Sequence, residues 1–513
     1  MTSQTEAARA TPRTLHLNPE DNVVVAVDGV PPGGEAHGIQ VTGRVLRGHK
    51  MAIRSIDDGA PVRKFGQIIG FADGAIAPGD HVHTHNCRYA EFDRDYAYAS
   101  AQKPAGALPE PERATFEGFR RASGRTGTRN YIGILTSVNC SASVARLIAD
   151  EVTRSGILRD YPNVDGVAAF VHGTGCGMAP SGDGWDAFQR TMWGYASHPN
   201  FAGILLVGLG CETFQIARMK ETYGIEDGPA FQTMTIQDTG GTRATIAAGV
   251  ARVCEMLPLA NAARRETRPA SELLVALQCG GSDGYSGITA NAALGAAADL
   301  LAAHGATGVL AETPEIYGAE HLLTRRAVSR EVGERLVGIV DWWRAYTERN
   351  GGSMDNNPSP GNKAGGLTTI LEKSLGAAAK GGTTTLNGVY AYAERVTASG
   401  FTFMDTPGYD PVSVTGQVAG GCNVVTFTTG RGSAFGCKPS PSLKLATNSA
   451  MFARMEEDMD INCGDVLEGV SVADKGREIF NHIVRVASGA RTKSEALGYG
   501  DNEFVPWQIG AVM

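Results

Sequence analysis

Four short apolar runs in this chain each end at a cysteine that is set among small or polar residues. These cysteines are Cys140, Cys176, Cys211 and Cys279. Runs of this length, followed by glycine and then by helix-like sequence, predict buried parallel strands. Ligands of parallel sheets bind beyond the carboxyl ends of the strands. We therefore expect the four thiols to gather near a functional site, although each could also be an ordinary core residue.

The chain has 513 residues, which is too long for a single hydrophobic core. Composition and hydropathy divide it into a small β-rich module over residues 1–98, a polar linker over 99–112, a central domain over 113–265 and a C-terminal domain over 266–513. Strand-like and helix-like runs alternate in the last two regions, as is typical of α/β domains. The predicted fold class is therefore α/β with an N-terminal β-rich module.

Charge and cysteine content exclude several classes of protein. The net charge of −8 and the absence of a basic stripe give no reason to expect a nucleic-acid partner. No apolar stretch is long enough to span a membrane. Nine cysteines without compact spacing do not form a disulfide scaffold, which fits a reducing cytoplasm. The first ten residues lack the apolar core of a secretory signal and predict a frayed terminus.

Three histidines alternate in the N-terminal module at His81, His83 and His85. Residues two apart on a strand point the same way, so these imidazoles could converge on a first-row metal. Because side chains at i and i+2 lie about 6–7 Å apart on a flat strand, we expect two of the three to bind together with ligands from elsewhere. The alternative is a solvated, histidine-rich loop.

The central domain offers His172, Cys211 and Glu212 close to predicted strand ends. These side chains could bind a metal, or they could supply a general base and a carboxylate that orients it. Four gathered cysteines would also permit an iron–sulfur cluster. The sequence disfavours a cluster, because no two of the four share a short spacing of two or four residues.

Polar and glycine-rich loops follow the strands of the C-terminal domain. Such a loop, where it opens a helix, favours an anion through its backbone N–H groups. Neither a Walker loop nor a dinucleotide fingerprint is present, so a substrate carboxylate is a better prediction than a nucleotide. Turns and helix caps use the same residue types, which is the alternative for each of them. The candidates are Ser282, Asp283, Glu312, Asn362, Lys363 and Arg431.

The order of these motifs resembles the altronate/galactarate dehydratase family over essentially the whole chain. The motifs are Gly48-His-Lys50, His81-Val-His-Thr-His-Asn86, Gly175-Cys176, His198-Pro-Asn200, Gly208-Leu-Gly-Cys-Glu212, Cys279-Gly-Gly-Ser-Asp-Gly284, Asn357-Pro-Ser-Pro-Gly-Asn-Lys363 and Thr429-Gly-Arg-Gly432. The alternating histidines resemble the altronate branch. The chain departs from the family at Ala292, where a proline is expected, but this change removes no chemical group.

The resemblance implies an N-terminal SAF-type module, two Rossmann-like α/β domains, and dehydration of a sugar acid to a 2-keto-3-deoxy acid. It also implies a divalent metal, with Fe²⁺ expected and Mn²⁺ or Mg²⁺ as alternatives. The predicted metal ligands are His83, His85, Cys211 and Glu212. The predicted catalytic residues are His172 as base, Lys363 as the alternative base, and Glu312. The predicted substrate-binding residues are Lys50, Ser282, Asp283, Asn362 and Arg431.

Three other functions remain open from the sequence. They are a galactarate dehydratase, a sulfo-lyase that releases sulfite from sulfolactate, and a sugar-acid-binding protein without catalysis. Fusion of the SAF-like module to the rest of the chain weighs against the sulfo-lyase, and the density of catalytic candidates weighs against the binding protein. We expect a cytoplasmic homodimer or higher homo-oligomer whose partner is a small sugar acid.

Overall fold

The described part of the N-terminal module consists of short antiparallel strands. A computed structural model describes residues 11–510, so the frayed terminus expected over residues 1–10 lies outside the described residues. The strands are β1 (Thr14–Leu15), β2 (Val23–Ala26), β3 (Glu35–Ala36), β4 (Ile39–Gln40), β5 (Lys50–Ala52), β6 (Pro61–Lys64), β7 (Gln67–Ala72), β8 (His81–Val82) and β9 (Cys87–Arg88). They form a β1-β2-β5-β8 sheet, a β6-β7-β9 sheet and a β3-β4 hairpin. The predicted β-rich module is confirmed.

The module is packed against the C-terminal domain. Its buried Val62, Ile69 and Val82 share a hydrophobic cluster with Ala319 and Leu375 of that domain. The linker also follows the C-terminal domain: the Leu108 N–H donates to the Ala303 carbonyl at 2.9 Å. The module is therefore fixed over one face of the C-terminal domain.

The central domain is a four-stranded parallel sheet covered by helices. Its elements are β10 (Thr115–Arg120), β11 (Thr126–Gly127), β12 (Tyr131–Thr136), α1 (Ala142–Ser155), β13 (Gly166–Phe170), α2 (Asp183–Ala196), β14 (Phe201–Gly208), α3 (Ile216–Tyr223), β15 (Phe231–Thr235), α4 (Ile236–Thr239), α5 (Thr242–Ala262) and β16 (Arg265–Pro269). The parallel order is β13-β12-β14-β15, and β10, β11 and β16 form a separate antiparallel sheet.

The C-terminal domain is built on a seven-stranded parallel sheet. Its elements are β17 (Leu274–Cys279), α6 (Ala290–Ala303), β18 (Thr307–Leu310), α7 (Glu320–Thr324), α8 (Arg330–Arg349), α9 (Pro360–Ala364), α10 (Ile370–Ala379), β19 (Leu386–Tyr390), β20 (Gly400–Met404), α11 (Asp410–Ala419), β21 (Val424–Thr429), β22 (Ser442–Ala446), α12 (Ser449–Arg454), β23 (Ile461–Asn462), α13 (Val472–Ala487) and α14 (Lys493–Leu497). The strand order is β19-β20-β18-β17-β21-β22-β23.

Both parallel sheets have a point where the chain changes direction across the sheet. In the C-terminal sheet β17 lies between β18 and β21, and in the central sheet β12 lies between β13 and β14. Ligands of open α/β sheets bind at such points, beyond the carboxyl ends of the strands. The two α/β domains are confirmed, whereas their Rossmann-like description stays a prediction. Among residues 11–510, no helix is long and apolar enough to cross a membrane.

The four strand-end cysteines do not share one edge, contrary to the sequence prediction. Cys140, Cys176 and Cys211 follow β12, β13 and β14 of the central sheet and are exposed. Cys279 is the last residue of β17 in the other sheet and is buried. Membership of a sheet depends on pairing between distant segments, which the individual runs do not encode.

Candidate active site

A buried cluster of charged side chains occupies the direction-change point of the C-terminal sheet. Lys380, the residue that caps the C-terminus of α10, places its Nζ 2.8 Å from the Cys279 Sγ and 3.4 Å from the Glu312 Oε2. The Cys279 Sγ lies 3.8 Å from the Glu312 Oε2 and 3.6 Å from the Glu315 Oε2. Glu312 follows β18 in a left-handed conformation with φ +72°, which turns the chain toward Cys279.

A second lysine of α10 ties this cluster to the long polar loop that precedes α9. The Lys373 Nζ donates to the Glu315 Oε1 at 2.5 Å and to the Asn357 Oδ1 at 2.8 Å. The Asn357 amide in turn donates to the same Glu315 oxygen at 2.8 Å. Both carboxylates are therefore held by ammonium groups from one helix.

Burial and mutual repulsion shift the pKa values of these acids. Burial, followed by the neighbouring Glu315, raises the pKa of Glu312 to about 8, so this carboxyl carries a proton at neutral pH. Burial opposes ionisation of Glu315 as well, but Lys373 and Lys380 outweigh it and lower the pKa. Burial raises the pKa of Asp410 to about 6 and that of the Cys279 thiol to about 12. Paired acids whose pKa values are pushed apart are typical of acid–base sites.

Cys279, Glu312 and Glu315 could hold a metal ion, because one ligand atom from each lies within 4.8 Å of the others. Within the described part of the chain the buried Glu312 Oε1 has no hydrogen-bond partner, which leaves one oxygen available. The ammonium of Lys380 already places a positive charge between the Cys279 sulfur and Glu312. An ion at this position would compete with that ammonium, so the cluster fits proton transfer better than metal binding.

Two loops bring the predicted substrate-binding residues together at the outer side of this cluster. The Asn362 amide donates to the Ser282 carbonyl at 2.9 Å, and the Gly284 N–H donates to the Gly365 carbonyl at 2.8 Å. A capping box, in which the side chains of Ser359 and Asn362 cap α9, fixes this turn. Lys363 is half-buried on the same short helix.

Asp283 and Arg431 complete this side of the site. The buried Asp283 carboxylate accepts hydrogen bonds from the hydroxyls of Thr447 and Ser286 at 3.0 Å, and burial raises its pKa. It packs so closely that a side chain at Gly430 would lie 2.2 Å from its Cγ. Arg431 is exposed, and its backbone N–H donates to the Gly281 carbonyl at 2.8 Å. Asp283 therefore shapes the loops, whereas Arg431 is free to meet an anion.

Lys50 belongs to a buried triad that links the module to α10. Its Nζ lies 2.8 Å from the Glu372 Oε2, and the Lys64 Nζ lies 2.9 Å from the Glu372 Oε1. Lys50 also donates to the Gly366 carbonyl at 2.7 Å. Burial disfavours ionisation of Glu372, but the two lysines dominate and hold its pKa well below the usual range. Lys50 thus holds the loop that carries Asn362 and Lys363.

Glu372→Gln is expected to lower the free energy of unfolding by about 3–5 kcal/mol, because it leaves two buried ammonium groups without their counter-charge. The matched control is Glu334→Gln, which removes an exposed partner of Arg330 one helical turn away. That change should cost about 0.5 kcal/mol or less. Urea unfolding of both variants measures the difference, and equal losses would contradict the structural role of the triad.

Four imidazoles of the module meet beside the α9 segment of the C-terminal domain. The His49 Nδ1 lies 3.0 Å from the His81 Nε2, and the ring centres of His49 and His83 are 4.9 Å apart. The rings of His81 and His85 are 5.5 Å apart. The His49 Nε2 lies 3.4 Å from the Ala364 carbonyl, directly beside Lys363. The module therefore carries its histidines to the loop that bears Lys363, the alternative base.

The rings of the histidine cluster are in the form that binds a divalent metal, but among residues 11–510 no three of their ring nitrogens lie within 4.8 Å of one another, so binding an ion would have to draw them closer. Burial, followed by the other charged groups nearby, lowers the pKa of His81 to about 3 and that of His83 to about 4, so both rings are neutral ligands at pH 7. The His83 Nδ1 is buried and has no hydrogen-bond partner among residues 11–510. The 3.0 Å between His49 and His81 suits a hydrogen bond, and it equally suits two ligands that each lie about 2.1 Å from one ion.

The remaining candidates lie in the central domain, and among residues 11–510 their hydrogen bonds stay within it. The His172 ring pairs with the Thr136 carbonyl at 2.7 Å and accepts from the Thr174 N–H at 3.2 Å. Both ring nitrogens are therefore engaged, and burial lowers the pKa of His172 to about 4. The base role of His172 stays a prediction.

Cys211 and Glu212 follow β14 at the edge of the central sheet. The Glu212 Oε1 accepts from the Ser137 hydroxyl at 2.6 Å, and its Oε2 accepts from the Gly210 N–H at 2.6 Å. The Gln237 amide reaches the Cys211 sulfur at 3.4 Å. These contacts do not bring Cys211 or Glu212 to His83 and His85, so a metal site shared by all four stays a prediction.

Sequence reasoning missed several members of the C-terminal site. Lys373 and Lys380 lie seven residues apart, two turns along one face of a helix, which is the available signal. Glu315 ends the Glu-Thr-Pro-Glu segment that begins at Glu312, and His49 directly precedes Lys50. None of these positions had a distinctive spacing to its partners.

Three family models match consecutive parts of the chain. The altronate/galactarate dehydratase SAF domain matches residues 12–90, and the second domain of D-galactarate dehydratase/altronate hydrolase matches residues 118–261. The C-terminal domain of D-galactarate/altronate dehydratase matches residues 270–512. The three matches follow the module and the two sheets described above.

Curated relatives align over nearly the whole chain. Altronate dehydratase of Bacillus subtilis (strain 168) is 35% identical over 94% of this chain and 96% of the relative. Altronate dehydratase of Escherichia coli (strain K12) is 36% identical over the same shares. Galactarate dehydratase (L-threo-forming) of Escherichia coli (strain K12) is 37% identical over 95% of both chains. The chain belongs to the altronate/galactarate dehydratase family, which confirms the resemblance in its motifs.

Proposed function

We propose that this protein is a hydro-lyase that removes water from a sugar acid, with an altronate-like aldonate as substrate and a 2-keto-3-deoxy acid as product. For a chain of this family, one structural observation supports the proposal. The polar loops with Ser282, Asn362 and Arg431, the histidine cluster and the protonated Glu312 all surround one edge of the C-terminal sheet. That edge is where α/β sheets bind their ligands.

We assign the metal to the histidine cluster, with His49 and His81 joining His83 and His85, and we propose that it is Fe²⁺, with Mn²⁺ or Mg²⁺ as alternatives. Imidazole suits first-row metals, and neutral rings are the form that binds them. A divalent ion there would supply a positive charge that stabilises the negative charge developing on the substrate carboxylate.

The residues of the chain then carry two proton transfers. Lys363 takes the proton from C2 of the aldonate. Glu312 donates its proton to the C3 hydroxyl, so the C3–O bond breaks and water leaves. The resulting enol takes a proton at C3 and becomes the ketone. Arg431, Ser282 and Asn362 hold the carboxylate and hydroxyls, while Asp283 and Lys50 position the loops.

The rate should fall as pH rises above about 8, because Glu312 is a proton donor only while its raised pKa keeps it protonated. Glu312→Gln is expected to lower kcat by about 10²–10⁴-fold and to abolish this alkaline decline. Steady-state rates between pH 6 and pH 10 test both effects. A variant that keeps the wild-type decline would show that another group controls it.

Sequence identity does not distinguish altronate from galactarate as the substrate. The galactarate relative is 37% identical to this chain, and the altronate relatives are 35% and 36% identical. The alternating histidines favour altronate. The test is an anaerobic screen of aldonates and aldarates with added Fe²⁺, Mn²⁺ or Mg²⁺, assayed for 2-keto-3-deoxy acid. Binding without product would instead indicate a sugar-acid-binding protein, and sulfite release from sulfolactate would indicate the sulfo-lyase.

We further propose that the protein acts in the cytoplasm as a homodimer or higher homo-oligomer, and that both α/β domains are Rossmann-like. The free thiols of the nine cysteines support a reducing compartment. Light scattering of the purified protein tests the oligomeric state.

A further inference from the structure

The carboxyl edge of the central sheet carries three cysteines that the proposed dehydration does not use. Cys140, Cys176 and Cys211 follow β12, β13 and β14, and β12 is the strand at which this sheet changes direction. The three cysteines therefore follow neighbouring strands at an edge of the kind at which α/β sheets bind ligands.

Backbone contacts hold the three cysteine loops together. The Asn139 N–H donates to the Thr174 carbonyl at 2.9 Å, which joins the first loop to the second. The Phe214 N–H donates to the Gly175 carbonyl at 3.1 Å, which joins the third loop to the second. Gly175 has φ +99° and leaves no room for a side chain, since a Cβ would lie 2.1 Å from the Ser137 carbonyl.

These three cysteines also differ from the others in exposure. All three are exposed, whereas Cys87, Cys279, Cys422, Cys437 and Cys463 are buried and Cys254 is half-buried. A free cysteine is among the residue types most often buried, so three exposed thiols at one sheet edge call for a chemical reason. Soft thiolate ligands select zinc, copper(I) and iron–sulfur clusters.

The distances between the three sulfur atoms distinguish a single metal ion from an iron–sulfur cluster. Three ligands of a single zinc ion, each about 2.3 Å from the metal, would place their sulfur atoms about 4 Å apart. The sulfur atoms of Cys140, Cys176 and Cys211 do not all lie within 4.8 Å of one another. A cluster has its own core of iron and sulfide and so spreads its thiolates further apart than one ion does.

We propose that Cys140, Cys176 and Cys211 bind an iron–sulfur cluster at the carboxyl edge of the central sheet. The lack of short cysteine spacing, which disfavours a cluster in the sequence, is overcome because the fold brings three separate loops together. The Gln237 amide, 3.4 Å from the Cys211 sulfur, supplies the kind of hydrogen bond that tunes cluster sulfurs. Glu212 is a positioning residue, because its carboxylate binds the Gly210 N–H and the Ser137 hydroxyl and so shapes the Cys211 loop.

The test measures iron and acid-labile sulfide in protein purified without oxygen, and again after incubation with Fe²⁺ and sulfide. We expect about four sulfide atoms per chain and about five iron atoms, four of them in a [4Fe–4S] cluster and one at the histidine cluster, with broad visible absorption. Cys140→Ser, Cys176→Ser and Cys211→Ser should each lose most of the sulfide, while the matched control Cys254→Ser keeps it. Iron without sulfide in the wild-type protein, or full sulfide in the three variants, would overturn the proposal.

A second measurement does not depend on how the variants fold. Wild-type protein is alkylated before and after a chelator removes its iron. Mass spectrometry then measures the extent of alkylation at each cysteine. The cluster should protect Cys140, Cys176 and Cys211 at least tenfold, and chelation should expose them. Equal alkylation in both states would contradict the proposal. Neither readout depends on dehydratase activity, so the result is separate from the proposed function.

Discussion

Lys363→Ala is expected to lower kcat by about 10²–10⁴-fold, which is the range that one positioned proton-transfer group supplies. Lys363 lies on α9, between the Asn362 amide that holds the Ser282 loop and the Ala364 carbonyl that faces His49. Lys363 is therefore flanked by one residue that contacts the Ser282 loop and one that contacts the histidine cluster. Replacement should leave the fold intact, because the side chain is half-buried and α9 is capped through Ser359 and Asn362.

Steady-state kinetics of Lys363→Ala with the best substrate of the screen measure this effect. KM should change much less than kcat, since Arg431 and the loop amides still hold the substrate. The matched control is Lys220→Ala, which removes a lysine paired with Asp227 at the surface of the central domain and should keep wild-type rates. A Lys363 variant with wild-type kcat would show that the C2 proton goes to another group.

His83→Ala is expected to reduce bound iron, and activity with it, by at least 10–100-fold. Replacing a residue that only orients a metal ligand typically lowers metal affinity by about 10–100-fold, so replacing a ligand itself should lower it at least as much. His83 is the strongest candidate because its Nδ1 is buried without a partner and its pKa is lowered to about 4. Excess Fe²⁺ should restore part of the activity, since three imidazoles remain.

Metal analysis and activity of His83→Ala are compared with those of His16→Ala. His16 lies in the same module but faces the Asp21 carbonyl and the His37 ring, away from the cluster. The control should keep its iron and its activity. If His83→Ala and His85→Ala both keep full metal content and activity, the metal is not held by the histidine cluster.

The strands could be predicted from the sequence more completely than the contacts between them. The apolar runs at residues 274–279 and 424–429 are strands as expected, because their buried side chains produce a continuous hydrophobic pattern. Residues Arg265–Pro269 form a strand that the sequence did not indicate. This strand pairs with β10 through its backbone, and its charged side chains are exposed or half-buried, so no hydrophobic pattern reveals it.

The site was predicted in part, for reasons visible in particular residues. Ser282 and Arg431 lie together because each follows a strand end at one sheet edge, which the motifs indicate. Asn362 joins them from α9 through its hydrogen bond to the Ser282 carbonyl. The histidines converge for a different reason from the predicted one: β8 ends at Val82, and the Asn86 side chain bonds the His83 N–H and the His81 carbonyl to form a turn. The pairing of Lys373 and Lys380 with the acids depends on long-range packing that no local spacing encodes.

The most direct test of the proposed dehydration follows one hydrogen atom. The purified protein with Fe²⁺ is incubated anaerobically in D₂O with altronate, and the product is analysed by NMR and mass spectrometry. The account predicts loss of one water, a ketone at C2, one solvent deuterium at C3, and a slower reaction when C2 of the substrate carries deuterium. An intact substrate, or a product that keeps the original hydrogen on C2, would contradict it.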